Sequence, residues 1–199
     1  MKTFKSLLQE LDTTLRNYNI VEYNKLQPPL PDKEIDKSLK DLGIIDENVK
    51  ALFQWKNGEK EDSYCQMMEC GGLLSLQEIK EDKESYLSDC YASSFIPIIS
   101  EGEQKILFNN KSGSHYGKLY LYSVPCLYID YPISYYDSLE TMVTTIIEAY
   151  KKNAYAYNLE SNWLDIDHEK FREIAKKNNK KSTYWKKHNP LAEEEWYEI

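Results

Sequence analysis

Apolar residues recur along this chain at two spacings, and the two alternate in blocks. Phe4, Leu7, Leu8, Leu11 and Leu15 fall three and four apart, which predicts a helix over residues 3–17 with one apolar stripe. Ile35, Leu39 and Leu42 repeat that spacing behind Pro31 and Asp32, a start at which proline's missing N–H costs nothing. Gly43 suits the end of this second helix, because a left-handed residue there carries no Cβ penalty. Asp46 is placed to cap a third, whose stripe is Val49, Leu52 and Phe53. Asn57-Gly58 closes the unit, since both residues tolerate positive φ. Trp55, just before that turn, is expected to pin the helix end to the next segment of the chain.

Beyond residue 59 the blocks shorten. Residues 64–68 read as a short strand and Gly71-Gly72 as a break. Ser75-Leu76-Gln77-Glu78 reads as a capping box that opens a helix with Leu76, Ile79, Tyr86 and Leu87 as inner positions. Strands are predicted at 95–99, 104–109, 118–123 and 126–130, with residues 110–117 a loop by composition. Within 118–123, Leu119 and Leu121 alternate with Tyr120 and Tyr122, so the two pairs belong on opposite faces. The loops are too short for parallel crossovers, so the sheet should be antiparallel. Residues 133–136 lead into the cleanest helical stripe of the chain: Leu139, Met142, Val143, Ile146, Ile147 and Tyr150, capped by Asp137 or Ser138. Lys151 and Lys152 suit that helix's negative end. A last helix over 167–178 carries Phe171, Ile174 and Ala175. Together these elements predict an α+β fold: a central, mainly antiparallel sheet flanked by helices, with a helical C-terminal extension.

The unit at residues 30–58 resembles the SMI1/KNR4 family, also called the SUKH superfamily. The matching pieces are "LPD" at 30–32, the helix behind Asp46, and "LFQWKNG" at 52–58, with Pro31, Trp55, Asn57 and Gly58 as the structural motif residues. Glu59 departs from the pattern, which often has a second glycine there. The resemblance extends over residues 25–157. It takes in the Ser-Leu-x-Glu helix start at 75–78 and a closing element from Ser138-Leu139-Glu140 through Ala149-Tyr150 to Ala154-Tyr155, with Asn153 where glycine is common. It divides the chain into a domain at 1–157 and an extension at 158–199 that packs on it. No catalytic residue comes with this resemblance. For a bacterial member it implies an immunity protein that neutralises a toxin, often a nuclease, by stoichiometric binding. Fungal members are tied to cell-wall synthesis and signalling, so an intracellular scaffold or regulator is the alternative.

Charge narrows the partner. The chain has 199 residues and a formal net charge of -8, which opposes a nucleic-acid footprint and fits either plain solubility, the commoner case, or a basic protein partner, such as the basic toxin domain that the resemblance implies. Residues 59–90 hold nine acidic residues against three lysines. Seven tyrosines crowd residues 116–136; some are expected to fill one sheet face under a helix, and the others can form a partner surface, since tyrosine is enriched at interfaces. Glu59, Glu61, Asp62, Tyr116, Tyr120 and Tyr122 are therefore the candidate partner-binding residues. The lysines at 176–187 surround Tyr184 and Trp185, as a base-stacking site requires, but the acidic residues at 193–195 and the overall charge weigh against nucleic acid.

No catalytic chemistry stands out. The three histidines have no second His or Cys at ligand spacing, no phosphate-cradling G-x-x-x-x-G-K-[ST] is present, and Ser112-Gly113-Ser114-His115 reads as a solvated turn. We expect no metal, no cofactor and no enzymatic activity. The four cysteines form no C-x-x-C pair and read as free thiols. The first helix interleaves its leucines with charge, unlike a signal peptide, and no apolar run reaches membrane-spanning length. A cytoplasmic protein is expected. The sequence sets no oligomeric state.

Overall fold

Helix α1 (Phe4–Tyr18) begins where Thr3 accepts a hydrogen bond from the Ser6 N–H, and it buries Phe4, Leu8, Leu11 and Leu15. The structure is a computed structural model that describes residues 2–60, 66–84, 93–102, 104–122 and 132–186. Asn19 ends α1 and at once caps a short helix that the apolar pattern does not announce, α2 (Ile20–Lys25). Its side chain accepts from the Glu22 N–H and donates to Tyr150 Oη at 2.9 Å, so one polar residue fixes both helices to the far end of the chain.

Helix α3 (Asp32–Asp41) starts behind Pro31. It stops in a Schellman turn: the Ile44 N–H donates to Leu39 O at 2.8 Å and the Gly43 N–H to Lys40 O at 3.0 Å, with Gly43 at φ +69°. Helix α4 (Glu47–Trp55) is capped by Asp46, whose Oδ1 accepts from the Asn48 and Val49 N–H groups at 2.9 and 3.0 Å. Strand β1 (Gly72–Leu73) precedes α5 (Leu76–Glu84). The capping box is formed, with Ser75 N–H donating to Glu78 Oε2 at 2.7 Å and Glu78 N–H to Ser75 Oγ at 3.1 Å.

Four further strands, β2 (Phe95–Glu101), β3 (Gln104–Asn109), β4 (Leu119–Tyr122) and β5 (Ile133–Tyr136), complete a five-stranded sheet in the order β1-β2-β3-β4-β5, with every neighbouring pair antiparallel. The fold is α+β, as the pattern implies. Leu119 and Leu121 join the main core, while Tyr120 and Tyr122 form a second cluster with Phe95 and Leu107 on the other face. A bulge between Pro97 and Ile99 lets Ile98 and Ile99 both enter the main core. Three local expectations change. Residues 66–68 hold no strand, but an isolated bridge from Met68 to Gly71, and Gly72 is paired rather than a break. Residues 133–136 form a strand. Tyr64, the strand expected at 126–130 and the inner positions Tyr86 and Leu87 lie outside the described residues.

Helix α6 (Leu139–Lys151) is capped by Ser138 rather than Asp137: Ser138 Oγ and Thr141 Oγ1 each accept from the other residue's N–H. It packs against α1. A hairpin of β6 (Tyr155–Asn158) and β7 (Trp163–Ile166) comes next, then α7 (His168–Asn178) and α8 (Thr183–Lys186). Helix α7 lies on α6, and α8 on β5. Trp185 Nε1 donates to Tyr135 O at 2.7 Å. Leu164, Phe171, Ile174, Ala175 and Trp185 belong to the same core as the sheet and α6. The hairpin runs straight through residue 157, the boundary expected between domain and extension. No helix among the described residues is long and apolar enough to cross a membrane.

Candidate interaction surface

The turn between α3 and α4 presents the most exposed large apolar side chain among the described residues. The Schellman turn sends Ile44 inward, at 4% exposure, and leaves Ile45 outward at 93%. The β3–β4 loop comes against this turn, since Asn110 Nδ2 donates to Gly43 O at 2.9 Å. From the same loop Tyr116 Oη donates to Asp46 Oδ2 at 2.9 Å. Burial and that carboxylate push the Tyr116 hydroxyl up to about 12, so it remains a donor across the physiological range. Its ring packs edge-on with Phe108 and keeps 41% exposure. Two shallow concavities lie beside these residues. One, of about 310 Å³, is bordered by Asp36, Lys40, Ile45, Glu47 and Lys50. The other, of about 150 Å³, is lined by Phe108, Tyr116, Asp46, Asp137 and Glu140, with no basic side chain among its lining residues. Asn48 Nδ2 donates to Glu140 Oε1 at 2.7 Å and so ties α4 to α6 across this second concavity.

The motif residues at 30–58 do structural work nearby. Asn57 Oδ1 accepts from the Leu76 N–H at 3.2 Å, which joins the end of α4 to the start of α5. Gly58 has φ +79°, and a Cβ there would lie 2.2 Å from Ser75 N. Trp55 reaches backward, not forward: its Nε1 donates to Asp12 Oδ1 in α1 at 3.1 Å. The expected anchorage to the next segment is thus made by Asn57 and Gly58 instead. Leu30, Leu42, Asn57 and Leu76 line a groove of about 730 Å³ between α3 and α5, rimmed by Lys37 and Lys80 among others.

A separate polar cluster holds the C-terminal helices. Glu69 Oε2 accepts from Tyr135 Oη at 2.9 Å, and Oε1 faces His168 Nδ1 at 3.3 Å. The Glu69 N–H donates to Tyr155 Oη at 3.2 Å. Burial pushes the Glu69 carboxyl up, against the opposing pull of Tyr135 and His168. Burial likewise raises the Cys70 thiol well out of the reactive range. These groups clasp β5, β6 and α7 to one loop. Among the described residues no group of three or more His, Cys, Asp or Glu side chains is arranged to hold a metal ion.

No family model matches this chain, and no curated protein matches it.

The residues expected at a partner surface are not brought together. Tyr116 is exposed, but Tyr120 and Tyr122 are each 1% exposed in the second cluster of the sheet. Strand alternation gives them a face opposite to Leu119 and Leu121, and that face is covered too. They are therefore not offered to a partner. Glu59 is half-buried in a bridge with Leu26, while Glu61 and Asp62 lie outside the described residues. Of the other five described acids in 59–84, Glu69 is in the polar clasp, Glu78 caps α5 and Asp82 pairs with the buried Lys105, which leaves Glu81 and Glu84, both exposed. That span is not a uniform acidic wall. The aromatic residues within the lysine stripe are also committed elsewhere: Trp185 is 4% exposed and Tyr184 packs edge-on against it. Ile45 is hidden from pattern reading because the helical stripe stops at Leu42 and restarts at Val49. Its one signal is an apolar pair, Ile44-Ile45, in a turn that needs only one inward residue.

Proposed function

We propose that this chain is a protein-binding module of the SMI1/KNR4 type, an immunity protein that neutralises a toxin by covering it. The observation that carries this reading is the α3–α4 corner. Two exposed anchors, Ile45 and Tyr116, stand among Asp36, Asp46, Glu47, Asp137 and Glu140, against Lys40 and Lys50 as the basic residues bordering the same concavities. Apolar and aromatic anchors supply binding energy at the centre of an interface, and the surrounding charge speeds encounter with a basic partner. The backbone at Asn153 lends support to the resemblance. It adopts φ +54° where the family pattern favours glycine, the conformation glycine takes most cheaply.

The binding is stoichiometric, and the chain transforms nothing. The test is to look beside this chain's gene for a reading frame with a toxin-like domain and to co-express the two. Growth should be rescued, and the purified pair should form a complex of fixed stoichiometry. Ile45→Asp should abolish rescue while leaving the fold intact, because the side chain is almost wholly in solvent. Undiminished rescue by Ile45→Asp would remove this corner from the interface, and absence of rescue by the wild type would remove the immunity reading.

A further inference from the structure

The groove between α3 and α5 contains a polar group that the fold leaves unused. Asn57 is 6% exposed and lines this groove. Its Oδ1 accepts from the Leu76 N–H at 3.2 Å, and that bond sets the orientation of the amide. The other end, Nδ2, has no acceptor among the described residues, yet it is not sealed from solvent. Almost all of Asn57 is covered, so what remains of its surface opens on the groove. An amide donor held this far inside a protein is costly unless an acceptor meets it. Gln77, the second residue of α5, lines the groove as well, and its N–H is one of the first-turn donors that no helical carbonyl can reach.

What surrounds the donor selects the acceptor. Leu30, Leu42 and Leu76 give the groove an apolar lining, and the first two are half-buried and packed on the core. The charges on its walls cancel: Glu34, Asp41 and Glu84 stand against Lys37, Lys80 and Lys83. A free carboxylate or phosphate would gain no net attraction there. A neutral carbonyl beside an aliphatic group meets both demands, since it accepts from Nδ2 while its apolar neighbour covers the leucines. A peptide chain with an apolar side chain carries that pair. The volume, about 730 Å³, is that of a binding cleft, but small ligands are held where most of their surface is enclosed. This groove lies open between two helices, so a segment carried by a second protein, which covers it from outside, fits better. We propose that the groove receives an uncharged peptide segment of a partner protein, with Asn57 Nδ2 donating to one of its backbone carbonyls and Leu30, Leu42 and Leu76 packing on an adjoining aliphatic side chain. The groove runs on into the α3–α4 corner: Asp41 and Leu42 line it, and Gly43 borders the concavity beside Ile45. The inference rests on the binding-module reading and names the element of the partner that enters.

The test uses the full chain, labelled with ¹⁵N, and four blocked probes: acetyl-Gly-Gly-Leu-Gly-Gly-amide, its aspartate and lysine counterparts, and acetyl-leucine-amide. The leucine pentapeptide should shift the Asn57 side-chain NH₂ signals and the amides of Leu42, Leu76 and Gln77, and saturate on the order of 1 mM. The aspartate and lysine peptides keep the carbonyls but lose the aliphatic group, and should bind at least about five-fold more weakly. Acetyl-leucine-amide should also bind more weakly than the pentapeptide. Asn57→Asp keeps an oxygen for the Leu76 N–H and removes the donor. It should weaken the leucine pentapeptide about five-fold or more, while the Leu76 amide stays protected from hydrogen exchange. If that variant does not fold, Leu42→Gln, at a half-buried site, decides in its place by the same loss. Equal binding of the leucine, aspartate and lysine peptides, acetyl-leucine-amide binding as tightly as the pentapeptide, shifts away from the groove, or undiminished binding by Asn57→Asp would each overturn the proposal. Rescue from a toxin by a chain whose groove takes no peptide sinks this inference and spares the function. Selective peptide binding without rescue does the reverse.

Discussion

Asp12 shows how much one surface-facing residue of a helix can organise. Its Oδ1 accepts from Trp55 Nε1 at 3.1 Å and Tyr23 Oη at 2.9 Å, and its Oδ2 from Arg16 Nε at 2.8 Å. The Arg16 guanidinium lies over the Tyr23 ring at 4.5 Å and the Lys56 ammonium at 4.4 Å. Burial alone would raise the Asp12 carboxyl, but bonds from Trp55, Tyr23 and Arg16 outweigh it and hold the group below the usual aspartate range. A carboxyl whose folded pKa is depressed adds stability above its unfolded pKa, and loses that contribution as pH falls through the folded value. Asp12→Ala should therefore cost about 2–3 kcal/mol at pH 7, the range for losing charge-assisted bonds to partly buried donors. The gap to wild type should begin to narrow below about pH 4, where the unfolded-state carboxyl takes up its proton, and close as pH falls through the lower folded value. Urea unfolding at pH 7 and pH 3 measures both gaps, and an equal gap at the two pH values would show that charge is not the cause. The sequence marks Trp55 as an anchor but not its acceptor, because which polar residue of α1 faces α4 depends on how the two helices cross.

At the scale of elements, two glycines separate what is local from what is tertiary. Gly43 and Gly58 share a positive φ, +69° and +79°. A Cβ at Gly43 would meet nothing within 4 Å, whereas one at Gly58 would lie 2.2 Å from Ser75 N and 2.6 Å from Ser75 Cα. Gly43→Ala should thus cost only the left-handed conformational penalty, about 1–2 kcal/mol. Gly58→Ala adds a backbone collision at the start of α5 and should cost more than about 4 kcal/mol or prevent folding. Thermal melts of the two variants would settle the order, and similar melting temperatures would mean that the α4–α5 junction yields easily. The same division explains what is legible in the chain. The stripes of α1, α3, α4, α6 and α7, the Asp46 cap and the Ser75 capping box depend on neighbours three or four residues away, and all are visible there. Helix α2 and the β6–β7 hairpin are too short to show a period. Strand β5 hides because all four of its residues, Ile-Ser-Tyr-Tyr, are buried and nothing alternates. Of the candidate corner, Tyr116 is legible by its type. Asp137 and Glu140 are not, since they face Asp46 and Asn48 from a distant part of the chain, as the Asn48–Glu140 bond shows.

For the whole molecule, the question is whether residues 158–186 are an appendage or part of one cooperative unit. Their aromatic and polar contacts run to the interior. Trp185 lies 4.6 Å from the Tyr135 ring and 5.7 Å from Phe171, which stacks at 4.9 Å on Tyr155. Asn179 Oδ1 accepts from the Asp137 N–H at 3.0 Å and its Nδ2 donates to Thr145 Oγ1 at 3.2 Å, so the end of α7 satisfies polar groups around the start of α6. Leu164 N–H donates to Gln66 Oε1 at 3.0 Å, and Gln66 N–H in turn donates to the buried Glu22, linking β7 to α2. Removing residues 158–199 would strip β6 of its partner and uncover Tyr135 and Tyr155 together. Small domains cannot bear that loss of buried apolar surface, since their total stability is about 5–15 kcal/mol. The truncated chain 1–157 should show no cooperative melting transition, and Trp185→Ala in the full chain should cost about 3–5 kcal/mol while keeping a single transition. Two separable transitions in the intact protein, or a cooperatively folded 1–157, would mean that the extension is an independent layer. The stakes reach the binding corner, because Asp137 is positioned from both sides: its N–H by Asn179 and its Oδ2 by the Lys181 N–H. If the extension is integral, loosening Trp185 must also loosen the acidic concavity, although no residue of α8 lines it.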